Sequence, residues 1–569
     1  MNRRLKYYFY RASILLDHYR SLTSFIIVFF SIVLLDFLFN LCSINLLGLI
    51  NRILQTNGVA FSAVNMEFAP EVWLSLLGLV LGTLIIVISI ASQNTPKLID
   101  LYMHDWRSLF YIWFLVLSSI HAVVIMIFTQ DLTRPGSSVL NIYLFLPVCI
   151  LFSMPYIFYI LRYTKTNHVI DIIHKNNLKY IQRLGSRKMR AFLEISVLKD
   201  SKVSAERIDK ITEEFQRYLM ECLNQLDNLL DYTGFKEPRA EVIRKMSHSI
   251  QVYVKQKPHI NPNFFKITQM VRSDISFRTM VEEKQLSELE QDRIFFEVKS
   301  FRLLGNAYVL FLDRNEFDLA SLCAAELTAV GKTAAECNDN PLLKALIFQF
   351  NTMMRFSIKQ ATRFNEARNL YNLAFHYANF VNSLASHHQI DLVKECFHFF
   401  RMYGNEIFNH AKQNYSLYFI IAVLTAELKN ILINIHKKSW DIEIQGELLD
   451  QILELDTPPD MDRDEMDDSQ LTNDGVRDIQ ISLALYYLKA GEEQFVTQII
   501  ADILEDLPYL GKDIFIQVVE NTFKRLENNT PVFWEDTDRG NTNLFYTPHI
   551  EMIEPLKKLI LEKIESKDL

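Results

Sequence analysis

Two ionisable side chains, Asp36 and His121, stand inside long apolar runs where a charge has few ways to be solvated. An Asp near the middle of a membrane helix costs about 2.5–3.5 kcal/mol on insertion scales, so such groups recruit partners. Each residue lies roughly 20 Å along its run from the end where basic residues gather. The expectation is that Asp36 and His121 meet within the outer half of a helix bundle. The competing expectation is that Asp36 reaches the outer interface and His121 bonds a neighbouring carbonyl. A second set is made of small and polar residues: Ser75, Gly82 and Ser89 repeat every seven, with Gly78 and Ser92 beside them, followed by Gln93, Asn94, Thr95 and Pro96. Such a face permits close helix packing, which is the plainer reading. The same residues would also line a water-filled path.

The elements that must position these residues are four apolar runs, Leu22–Leu41, Val72–Ala91, Leu109–Thr129 and Val139–Leu161. Each is close to the ~20 residues that cross ~30 Å of hydrocarbon as a helix. The first is uninterrupted and lacks a small-residue cleavage site, so it reads as an anchor and not a cleaved leader. Arg3, Arg4, Lys6, Arg11 and Arg20 precede the first run, Lys97 and Arg107 lie between the second and third, and Arg162 and Lys165 follow the fourth. The other two loops carry only Arg52 and Arg134, with Glu67, Glu71 and Asp131 nearby. Basic residues stay on the cytoplasmic side, which places both termini there. Trp73, Trp106 and Trp113 fall near span ends and are expected at the interface. Ile44–Leu54 reads as a separate amphipathic piece in the outer interface, with a re-entrant segment as the alternative. Pro96 ends the second helix, while Pro147 and Pro155 are candidate kinks or gate elements of the fourth.

The second run ends Ile90-Ala91-Ser92-Gln93-Asn94-Thr95-Pro96-Lys97-Leu98 and leads to a charged turn at His104-Asp105-Trp106-Arg107. With an acidic residue late in the first span, this resembles an uncharacterised bacterial family of predicted membrane proteins with a domain of unknown function. Its members close the same helix in an S-Q-x-x-P-[RK]-L pattern. The resemblance covers roughly residues 20–130, less than a quarter of the chain. It implies a bacterial inner-membrane location and no activity. The family's usual cytoplasmic segment is not recognisable after the fourth span.

The remainder is polar and differently charged. Residues 1–165 hold 11 Lys/Arg and 7 Asp/Glu, and the rest holds 48 and 60. Only 15 Gly and 15 Pro occur in 569 residues, about a third to a half of ordinary usage, which argues against hairpin-rich folds. The expected fold is all-α: a four-helix transmembrane domain and a large cytoplasmic helical domain, solenoid-like or a bundle. The divisions are a basic N-terminal segment (1–21), the spans (22–164), a juxtamembrane basic helix and stalk (165–290), a solenoid-like region (291–440), an acidic linker (441–475) and C-terminal helices (476–569). Arg162, Lys165, Lys175, Lys179 and Arg183 would face anionic lipid, at about 1 kcal/mol per charge near the surface. Phe215, Cys222 and Leu229 recur every seven residues after Ile208, as a coiled-coil seam or a helix laid on its neighbours. Helix breaks are expected near Asn315, Asn338, Asn365 and His388. Residues 484–501 resemble one tetratricopeptide hairpin with its turn at Ala490-Gly491, without a regular 34-residue period.

Enzymatic chemistry is not legible. Gly331-Lys332-Thr333 lacks the first glycine of a phosphate loop, since Glu326 stands there, and no strand pattern precedes it. Six scattered cysteines contain no C-x-x-C, so neither a disulfide framework, a metal site nor a cofactor is expected. The composition suits no nucleic-acid partner. Trp534-Glu-Asp-Thr-Asp-Arg-Gly540 is polar and unusual enough for a binding loop. The leading expectation is a homo-oligomeric pore or ion channel in the bilayer, lined by Ser75, Gly78, Gly82, Ser89, Ser92 and Gln93 and regulated by the cytoplasmic helices. The alternatives are a non-conducting anchored scaffold that docks protein partners on those helices, and a transporter, for which no inverted repeat is visible.

Overall fold

The computed structural model describes residues 19–56, 68–94, 105–128, 135–162, 165–187, 189–190, 203–277, 283–411, 415–455 and 474–567. Every regular element among them is helical apart from one two-stranded hairpin, so the fold is all-α. The chain forms two compact units, Met1–Asn176 with Asn224–Val242, and Asn177–Leu223 with Ile243–Leu569.

The first unit is built on α1 (Arg20–Thr56), α2 (Ala69–Asn94), α3 (Trp106–Phe128), α4 (Pro135–Val139) and α5 (Leu146–Leu161), with a π-helical stretch, Leu140–Phe145, joining the last two. Helix α1 packs on α3 and α4, and α2 packs on α3 and α5. Val28, Ile32, Leu76, Val80, Leu84, Leu115, Phe145 and Cys149 fill the interior. The outward faces are apolar as well: Phe30, Phe37, Leu41, Leu74, Ile85, Ile127, Leu151 and Phe158 are all exposed. A helix apolar on every side suits an apolar solvent. The structure departs from expectation at Ile44–Leu54, which continues α1 without a break.

Helices α6 (Thr166–Leu184), α7 (Val203–Tyr232) and α8 (Lys236–Gln256) follow. Along α7, Phe215, Leu219, Cys222, Leu226 and Leu229 are buried. The Gln216 amide donates to the carbonyls of Phe264 and Lys266, both at 2.8 Å. These bonds tie the Gln216 turn of α7 to the segment at Phe264–Lys266. After α9 (Gln269–Ser273) and α10 (Glu283–Asp292), a two-layer stack begins. One layer holds α11 (Phe295–Asp313), α13 (Asn340–Phe364), α15 (Ile390–Ala411), α17 (Ile442–Leu453) and α19 (Glu493–Ile503), the other α12 (Phe317–Glu336), α14 (Arg368–Ser386), α16 (Tyr415–Lys437) and α18 (Asp474–Ala490).

Equivalent positions of successive helix pairs bond to one another 48 to 53 residues apart: Thr328 to His376, Tyr308 to Ser357, His436 to Tyr486, Asn434 to Asn382, and Lys429 to Ser482. The repeating unit is thus about 50 residues, longer than a tetratricopeptide. Helices end where Asn315, Asn338, Asn365, His388, Ser439 and Gly491 adopt positive φ, the left-handed cap that Asn and Gly tolerate best. Gly331 sits inside α12 because a side chain there would overlap the Phe380 ring of α14. Its glycine serves close packing, and Lys332 and Thr333 are ordinary helical residues beside it. The stretch expected as an acidic linker contains α17, while residues 456–473 lie outside the described residues.

Among the described residues, five helices are long and apolar enough to cross a membrane by length and composition. In the fifth, Ser416–Lys437, 72% of the apolar window is buried, against 22–33% in the other four, so this helix belongs to the stack. The chain closes with α20 (Leu507–Leu510), α21 (Lys512–Asn528), strands β1 (Val532–Thr537) and β2 (Gly540–Thr542), and α22 (Ile553–Lys567). The sequence-based expectation held no strand. The hairpin arises at the segment singled out as a loop, where Gly540 supplies positive φ after the two-residue turn Asp538-Arg539.

Candidate functional site: a polar junction of four apolar helices

Asn141 organises the site. Pro147 lacks an N–H and its ring crowds the carbonyl four residues back, at Tyr143. The helix responds by opening into the π-helical stretch Leu140–Phe145, an arrangement frequent at functional sites. Asn141 lies in this stretch, fully buried. Its Oδ1 accepts from Trp73 Nε1 at 2.9 Å, and its Nδ2 donates to the Ser118 carbonyl at 3.0 Å. The same Nδ2 lies 3.1 Å from His121 Nδ1. On the other side of that ring, His121 Nε2 is 3.4 Å from Asp36 Oδ1. Asn40, one turn after Asp36, donates to the Asp36 carbonyl at 3.0 Å and to Ser137 Oγ at 2.8 Å. Gly136 permits this approach, since a Cβ there would meet the Asn40 side chain at 2.9 Å. All four apolar helical segments thus contribute to one network.

The geometry assigns the protons. Trp73 can only donate, so the Asn141 oxygen must face it, and the amide N–H groups are left for Ser118 and His121. His121 Nδ1 is then an acceptor, which puts the ring proton on Nε2, toward Asp36.

Asp105 holds the other end of α3. It caps the helix by accepting from Ser108 N at 3.3 Å and Ser108 Oγ at 2.7 Å, and Tyr159 of α5 donates to it at 2.8 Å.

The structure brings Asp36 and His121 together. It places Trp73 in the core, where its indole N–H serves Asn141, and so corrects the expectation of an interfacial ring. Ser75, Gly78 and Ser89 are exposed and Gly82 is half-buried. Among the described residues, apart from the helix's own backbone, nothing lies within 4 Å of a Cβ built on Gly78 or Gly82. The side chains of Ser92 and Gln93, and Pro96 altogether, lie outside the described residues. Pro147 and Pro155 are exposed and α5 runs through Pro155. Arg162, Lys165, Lys175 and Lys179 are exposed and Arg183 is half-buried. Among the described residues no group of three His, Cys, Asp or Glu is placed to hold a metal ion. Asn141 was missed from the sequence. Its signal was a lone amide in the fourth apolar run, six residues before a proline.

No family model matches the chain, and no curated protein does. One solved structure, titled a circular tandem repeat protein with novel repeat topology and enhanced subunit contact surfaces, is similar over 86% of this chain and 99% of its own. The identity is 11% and the TM-score 0.34.

Proposed function

We propose that this chain is a four-span inner-membrane protein with both termini in the cytoplasm, and that copies of it assemble into a pore regulated by the helical stack. Helices α1, α2, α3 and α4–α5 are the spans in this reading. Their outward apolar side chains, their length and the basic residues at Arg20, Arg107, Arg162 and Lys165 support it. The resemblance of residues 20–130 to an uncharacterised bacterial membrane-protein family belongs to the same proposal.

The observation that carries the pore is the outward face of α2. Ser75, Gly78 and Ser89 are exposed, and the two glycines of that helix have open space where a side chain would stand. A face of small and hydroxylated residues gains little from lipid tails and much from a second copy or from water. The interior of a single bundle is occupied by Trp73, Val80, Leu84, Phe145 and the Asn141 network, so the conducting path runs between copies. A second reading, a non-conducting anchor for the stack, draws on that network, because it ties the four helices together more firmly than a moving gate needs.

Single-channel current from purified protein in planar bilayers separates the two. Discrete conductance that Ser75→Leu and Ser89→Leu abolish is the expected result. Silence from folded, inserted protein across voltages and tensions overturns the pore and leaves the anchor.

A further inference from the structure

The hairpin tip is seated across three helices of one layer of the stack. Asp538 accepts from Ser321 of α12 and from His376 Nε2 of α14 at 3.0 Å. Both partners meet the same ring nitrogen of His376, so the trio is a clasp and not a nucleophile relay, in which serine and acid bond opposite nitrogens. Arg539 turns inward beside it. Its side chain is only 6% exposed and pairs with Glu427 of α16. Its guanidinium lies 4.6 Å from the Tyr371 ring centre and 5.4 Å from that of Phe375. Its Nε and Nη1 have no hydrogen-bond acceptor among the described residues.

Beneath the tip is a cavity of about 390 Å³, lined among others by Arg539, Glu427, Lys429, Asn379, Asn430 and Tyr546. That volume lies within the range of small-molecule sites. Lys429 is buried there, with Ser482 Oγ at 3.4 Å as its hydrogen-bond acceptor. Arg539 and Lys429 carry two positive charges against one carboxylate. A buried excess of one positive charge, with two guanidinium donors unmet, is a costly arrangement unless something else completes it.

We infer that this cavity binds a small organic monoanion, whose carboxylate or phosphodiester group meets Arg539 and Lys429. One negative charge balances the site, the anion accepts a single charge-assisted hydrogen bond from Arg539 Nε or Nη1, which lie on different edges of the guanidinium, and the asparagines and Tyr546 face the rest of the molecule. The inference stands independently of what the apolar helices do.

The test is calorimetric titration of the full-length protein in detergent, with benzoate and cyclic AMP as monoanionic probes and benzamide as the uncharged match of benzoate. Saturable binding of one probe per chain is expected, benzoate reporting a carboxylate site and cyclic AMP a phosphodiester site. Lys429→Met should weaken it by about tenfold or more, Arg539→Gln should abolish it, and Arg539→Lys should fall between. Glu427→Gln, which removes the competing carboxylate, should tighten it. A merely structural role for these residues does not produce that gain. Circular dichroism identifies any variant that fails to fold, and Lys429→Met keeps the hairpin arginine and its partner in place. The inference is overturned if neither monoanion binds at about 10 mM, if benzamide binds as well as benzoate, if folded Lys429→Met binds unchanged, or if Glu427→Gln binds more weakly.

Discussion

Asn141 and Arg539 are both inward-facing polar side chains on which several helices converge, and they are satisfied in opposite ways. The amide of Asn141 has its oxygen and nitrogen engaged by Trp73, Ser118 and His121. The guanidinium of Arg539 pairs with Glu427 and rests on two rings, yet keeps donors without acceptors among the described residues. A neutral amide can be completed by fixed neighbours, and the result is rigidity. A buried cation needs more charge than its neighbours supply. Its environment shows this: burial pushes the Glu427 carboxyl up to about 7, despite Arg539 and Lys429, and pushes the Lys429 ammonium down to about 8. One region is closed by its own chemistry, and the other is built to be completed.

The sharpest way to break this contrast is Asn141→Leu. Trp73 Nε1 loses its acceptor inside an apolar bundle and the Ser118 carbonyl loses a donor, for a loss of about 4 kcal/mol. Thermal unfolding in detergent measures it, and an unchanged melting temperature means the network is not structural. Next is Glu427. Its folded pKa is above the ordinary 4.5, so the native state binds the extra proton between those values. Stability of the stack should then fall as pH rises from about 4.5 through 7, by on the order of 3 kcal/mol. Glu427→Gln should flatten that dependence in denaturant titrations across the window. Gly331→Val forces a branched side chain against Phe380 and should cost about 2 kcal/mol, read from the same titrations.

The smallest effect is expected at the clasp. The His376 hydrogen bond holds the Asp538 carboxyl below its usual range, so its contribution is present above about pH 4 and lost as pH falls further. The carboxylate is 38% exposed, so solvent screening limits the loss in Asp538→Asn to about 1 kcal/mol. Faster hydrogen exchange confined to Val532–Thr542 would locate it. Exchange that quickens throughout the stack instead would show that the hairpin governs more than its own docking.

Much of the architecture was legible because it rests on local chemistry. The helix breaks at Asn315, Asn338, Asn365 and His388 are left-handed caps, written in single residues. The four apolar runs are a matter of composition. What escaped the sequence was long-range. A repeat of about 50 residues leaves no motif when equivalent positions are linked by pairs as different as Tyr308–Ser357 and His436–Tyr486. Trp73 read as interfacial because its partner lies 68 residues away. The hairpin was visible only as a polar anomaly, since its strands are held by turn geometry and by docking, and neither shows in alternation.

The hairpin clasp also has a mechanical consequence. A stack of helix pairs held by neighbour contacts stretches and recoils like a spring, each coil yielding almost independently. Asp538 and Arg539 reach Ser321, His376 and Glu427, and so fasten three coils to one tip. Under tension the stretch from α12 to α16 should extend as a single stiff block, and compliance should be confined to the coils on either side of it.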